Sequence, residues 1–97
     1  MGELIQGNPW VWVVVMDPGE NEQFVGQQDQ SSRVSFLPAF LEKDEALKGL
    51  DGLTREEAHT YEVQAIRYEE LAKNAVAHGF VIFVLNGDGR ILEKRAP

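Results

Sequence analysis

The sequence predicts an α+β chain: a mixed, mainly antiparallel sheet of five or six strands, with two principal helices packed on one face. Three features carry this. Trp10–Met16 is apolar at every position and rich in β-branched and aromatic residues, as a buried strand is. Tyr68, Leu71, Ala72, Ala75 and Val76 recur at helical spacing behind Glu69-Glu70 and ahead of His78-Gly79, which marks an amphipathic helix with a glycine stop. Residues 80–85 are wholly apolar and run into Asn86-Gly87-Asp88-Gly89, a hairpin turn with a partner strand at 90–94.

The elements follow in order. Residues 1–9 read as a loose amino-terminal arm ending at Asn8-Pro9. The first strand spans Trp10–Met16, closed by Asp17-Pro18-Gly19. Its alternate residues, Trp10, Trp12, Val14 and Met16 against Val11, Val13 and Val15, leave both faces apolar, so cover is needed on both sides. Residues 20–32 are polar and offer a weak edge strand near 23–28. Residues 33–37 alternate as a strand that Pro38 stops. A helix is expected over Lys43–Leu50, with Asp44 and Glu45 in its first turn, where the helix dipole favours acids. Its apolar face is Ala46, Leu47 and Leu50, and Asp51-Gly52 ends it. Thr54-Arg55-Glu56-Glu57 has the form of a capping box. Beyond it two readings stand: residues 61–66 are a strand leading into the second helix, or 54–78 form one long helix on the 3-and-4 spacing of Ala58, Tyr61, Ala65, Tyr68, Ala72 and Ala75.

Ninety-seven residues, 43% hydrophobic and 26% charged, suit one globular domain over 1–97. The chain has no cysteine, which removes disulfide frameworks, thiolate metal sites and thiol nucleophiles and fits a reducing, cytoplasmic setting. The first residues lack the basic stretch of a signal peptide. The longest apolar run is far short of a membrane span of about 20 residues. A net charge of −7 repels nucleic-acid backbones and anionic membranes, which argues against either as a partner.

No motif supplies chemistry. Asn86-Gly87-Asp88-Gly89-Arg90-Ile91 resembles the middle of a calcium loop, but Val84 and Arg95 stand at its end ligand positions and strands flank it. His59 and His78 lie nineteen positions apart, outside any paired-histidine spacing, and His78 suits a helix end. Ser31, Ser32 and Ser35 occupy no nucleophile elbow. Glu42, Asp44, Glu45, Asp51, Glu56 and Glu57 are interspersed with Lys43, Lys48 and Arg55, the pattern of a solvated face. No cofactor, metal or catalytic residue is therefore expected. Trp10 and Trp12 remain as partner-binding candidates, because Trp is enriched in binding hot spots. Trp10 is nearer the strand end and the better placed for exposure.

Two stretches carry a resemblance. Residues 36–47, Phe36-Leu37-Pro38-Ala39-Phe40-Leu41-Glu42 running into Lys43 and Asp44, resemble the strand–Pro-x-Phe–helix entry of the SseB amino-terminal domain. Residues 62–86, with Leu71, His78-Gly79 and Val84-Leu85-Asn86, resemble that domain's later strand–helix–strand ending in an asparagine. About half the chain is covered, with Leu41 where Ser or Thr commonly follows the Phe and Gly87 where Pro often follows the Asn. The resemblance implies a mixed α+β sheet and a bacterial source, and it implies no activity.

The functional expectation is a non-enzymatic protein-interaction or regulatory module, with a protein partner that includes a second copy of itself. The alternative is a small enzyme or ligand-binding protein using acidic residues and an exposed Trp. A pocket where Trp10 meets carboxylates of raised pKa would mark the alternative. The homodimer expectation rests on an apolar strand whose second face two helices on one side would leave uncovered.

Overall fold

The computed structural model describes residues 4–19, 21–53, 56–57 and 59–96. Among these residues seven strands and two helices follow one another as β1 (Trp10–Met16), β2 (Gln23–Phe24), β3 (Gln27–Gln28), β4 (Ser35–Ala39), α1 (Lys43–Leu50), β5 (Tyr61–Arg67), α2 (Tyr68–His78), β6 (Val81–Leu85) and β7 (Ile91–Arg95). The α+β expectation holds. The strands form two sheets of three and four, in the orders β2-β1-β5 and β3-β4-β6-β7, rather than one sheet of five or six. All pairings are antiparallel except β4 with β6.

Among the described residues the sheets join at one bridge. Trp12 and Phe40 exchange backbone hydrogen bonds of 2.8 Å in each direction. Farther along the same edge, Val14 accepts from Val25 N–H at the β2 end. One edge of β1 is thus shared by β2 and by the residue that follows β4. Pro38, expected to stop its strand, lies inside β4. The alternation set by Asp29 N–H to Val34 and by Phe40–Trp12 directs the even residues of β4 away from β6. The missing N–H of Pro38 therefore falls between the last β3 pair, at Phe36, and the bridge at Phe40, where no strand asks for a donor.

The helices cover opposite faces, a correction to the single-face expectation. Tyr68, Leu71 and Ala75 of α2 close a core with Val11, Val13, Val15, Leu37, Ala39, Ile82 and Val84. Ala46 of α1 closes the other face over Phe36, Phe40, Phe83 and Leu85, with Trp12, Val63 and Val81 partly buried beside them. The rings of Phe36 and Phe83 stack at 4.4 Å between centroids. α1 lies close because Gly49 has no Cβ: one would stand 2.5 Å from Phe40 Cε1. With a helix on each face, no empty face is left for a second copy to close.

The choice between strand and long helix resolves as β5 followed at once by α2. All seven β5 residues pair with β1, Trp10↔Arg67 through Met16↔Tyr61, and this satisfies backbone groups that a helix would otherwise have to satisfy within itself. α2 ends as expected, with Gly79 left-handed at φ 75°. Its stripe is narrower than the sequence suggests, because Val76 is exposed, and Leu47 of α1 is exposed too. Residues 4–9 are docked rather than loose. Ile5 is buried in the α2-side core, Leu4 N–H donates to Glu93 Oε1, and Asn8 Oδ1 accepts from Glu69 N–H at 2.9 Å. The capping-box reading at 54–57 falls largely on Thr54 and Arg55, outside the described residues. No helix among the described residues is long and apolar enough to cross a membrane.

Candidate functional site

β1 and β5 together position the two tryptophans. Even-numbered β1 residues face the α1 side, and their β5 neighbours are Arg67 beside Trp10 and Ala65 beside Trp12. Trp12 is half-buried against the α1-side cluster, and the Lys43 ammonium lies 5.7 Å from its ring centroid. Trp10 lies outside that cluster, with 57% of its surface exposed. The Arg67 guanidinium stacks 4.5 Å from its ring centroid while its Nη1 donates to Asn8 carbonyl at 3.1 Å. That hydrogen bond fixes the guanidinium, and an exposed cation–π pair adds about 0.5–1 kcal/mol. A third cation, Lys94, lies 5.3 Å from the Phe83 ring. An acidic chain thus sets three of its cations on aromatic rings of one face. The sequence pointed to Trp10 and Trp12 but missed Arg67 and Ala65, because they join the site only through β1–β5 register.

The structure assigns ordinary work to the other candidates. Asn86 Oδ1 accepts from Asp88 N–H and Arg90 N–H, both at 3.0 Å, so the calcium-like stretch is a self-bonded turn. That turn docks on α1: Gly87 N–H donates to Glu45 Oε2, and Lys48 pairs with Asp88 at 2.7 Å. The ammonium holds the Asp88 carboxyl below its usual range. Of the acidic series on and after α1, Glu45 serves this docking, and no group of three or more His, Cys, Asp or Glu among the described residues is arranged to hold a metal ion.

His78 bonds through Nδ1 to Asn74 carbonyl at 2.9 Å, a helix-end contact. His59 is more elaborate. Its Nδ1 lies 2.7 Å from Asp17 Oδ2 and its Nε2 3.2 Å from Glu56 Oε2. Asp17 Oδ1 also accepts from Thr60 N–H at 3.2 Å. The hydrogen bond from His59 lowers the Asp17 pKa, with the Thr60 N–H assisting and partial desolvation opposing. With a carboxylate at each ring nitrogen, His59 ties the turn after β1 to the segment before β5. Nothing in the sequence signalled the pair, whose members lie 42 residues apart.

A shallow groove of about 990 Å³ lies beside β2 and β3, lined by amides and rings, among them Gln23, Gln27, Asn74, His78 and Tyr61. A second, of about 220 Å³, lies between β3 and the 87–89 turn. Trp10 lines neither. No protein-family model, no curated protein and no solved structure matches this chain.

Proposed function

We propose that the protein is a non-enzymatic protein-interaction module whose contact surface is centred on Trp10, with Arg67 beside it and Trp12 behind. The carrying observation is the exposure of Trp10 at the open end of the α1-side face, held by a stacked guanidinium. A large aromatic already fixed in place loses little conformational freedom on binding, the property that makes such residues hot spots. Two observations favour this over catalysis. Trp10 lines neither of the two hollows described, and among the described residues the carboxyls whose pKa moves, Asp17, Asp29 and Asp88, all move down rather than towards neutrality.

The test is parallel capture from the native host with wild type and Trp10→Ala, each recovered protein then being titrated against both purified chains. A partner that binds wild type and loses at least about tenfold in affinity for Trp10→Ala, roughly the loss of one modest hot spot, supports the reading. Equal affinity for both chains refutes the role of Trp10. A second reading, a ligand-binding protein, has the amide-lined groove in its favour. Its ligand would be met by Gln23, Gln27 and His78 rather than by acids and Trp10, and chemical-shift mapping would place it there.

A further inference from the structure

We infer that two copies of the chain pair antiparallel along the outer edge of β5, across a twofold axis at Gln64, so that one sheet runs through both. This rests on the interaction-module reading and names a partner for it. Among the described residues no strand pairs the outer side of β5, which is the last strand of its sheet. The β1–β5 alternation is set at its two ends by Asp17 N–H to Thr60 carbonyl and Tyr68 N–H to Pro9 carbonyl. Even-numbered β5 residues therefore bond inward to β1, and Tyr61, Val63 and Ala65 direct their N–H and C=O groups outward, as Arg67 does its N–H, its carbonyl opening α2. These seven residues contain no proline or bulge, two of the devices that blunt a free edge, and their charges are limited to Glu62 and Arg67.

One register also suits the side chains. Centring the twofold on Gln64 sets Tyr61 opposite Arg67 of the second copy and Val63 opposite Ala65 of the second copy. Val63 and Ala65 then pair through both backbone groups, and Arg67 N–H donates to the Tyr61 carbonyl of the second copy, giving about six backbone hydrogen bonds, while the Arg67 carbonyl stays with the first turn of α2. On the α1-side face the row reads Trp10, Arg67, then Tyr61 of the second copy, which places the guanidinium between two aromatic rings. The next row places Ala65, small and exposed, against a valine beside half-buried Trp12. On the other face Glu62 meets Ile66 and Gln64 meets its own copy, so no like charges stand opposite each other. Closed twofold pairing of this kind is the commonest homo-oligomer.

Because the chain has no cysteine, a single engineered one reports the register. Gln64 lies on the axis as a non-hydrogen-bonded pair, with Cα atoms about 4.5 Å apart, within disulfide reach. Under mild oxidation Gln64→Cys should form a disulfide dimer nearly quantitatively, and Glu62→Cys should not. Sedimentation equilibrium at micromolar concentration should show wild type at twice the 10.9 kDa chain mass. Ala65→Pro deletes an outward N–H that the folded monomer does not use and should weaken the dimer at least about tenfold, with circular dichroism confirming an intact fold. Gln64→Lys, which sets two charges on the axis, is the second probe and should do the same. A wild-type monomer, a dimer that survives both Ala65→Pro and Gln64→Lys, or preferential cross-linking through Glu62→Cys would each overturn the inference. A wild-type monomer that still binds a different protein through Trp10 would overturn the pairing alone and leave the interaction reading standing.

Discussion

Gly49 shows how one missing methyl sets a helix in place. In an exposed helix, Gly→Ala gains about 1 kcal/mol. Here the new Cβ would stand 2.5–2.6 Å from the ring of Phe40, itself completely buried, and overpacking of that kind costs about 1–3 kcal/mol. The clash wins, so Gly49→Ala should lower the urea midpoint rather than raise it, and near-ultraviolet circular dichroism should show the aromatic cluster disturbed. Asp17 gives a pH-dependent prediction. Its folded-state pKa is depressed below 3.8, chiefly by the His59 hydrogen bond. Its contribution to stability is therefore present above pH 3.8 and is lost as pH falls through the folded value. In Asp17→Asn, urea midpoints measured between pH 5 and pH 2 should fall less steeply than in wild type, and the His59 ring signals should shift.

At the scale of elements, α2 depends on a cap that comes from far away in the chain. Asn8 supplies the side-chain oxygen for Glu69 N–H, whereas Arg67, the residue before the helix, makes no side-chain cap. Asn8→Ala should cost about 1 kcal/mol, within the range for a lost helix cap, seen as a lower melting temperature with unchanged secondary structure. Such partners explain what the sequence could and could not yield. Trp10–Met16, Lys43–Leu50, Tyr68–His78 and the β6–β7 hairpin were legible because apolar spacing and glycine stops lie within each segment. The choice between strand and helix at 61–66 was not, because both periods fit Tyr61 and Ala65 and pairing with β1 decides between them. The two-residue strands on either side of Gly26 have no periodicity to read, and the site held Arg67 and Ala65 only by register. Pro38 misled because its effect depends on which edge its nitrogen faces.

For the molecule as a whole, the layering of helix, sheet and helix accounts for a strand apolar on both sides, with Val11, Val13 and Val15 under α2 and Trp12 under α1. The amino-terminal arm belongs to this core. Ile5→Ala should lose about 2–5 kcal/mol, the cost of emptying a fully buried aliphatic site, measured by chemical denaturation. The single bridge between Trp12 and Phe40 has a kinetic consequence. With β2 and Phe40 sharing one edge of β1, the ribbon through residues 23–28 can lift without breaking the link between β1 and β4. Amide hydrogens on the two sides of that seam should then exchange with solvent on separate clocks. Those of Trp12 and Phe40 should wait for global unfolding, while that of Val25, held to Val14 at 3.1 Å, should exchange through a smaller local opening. Native-state exchange at rising urea would read the difference directly: a steep dependence at Trp12 and Phe40, and a nearly flat one at Val25.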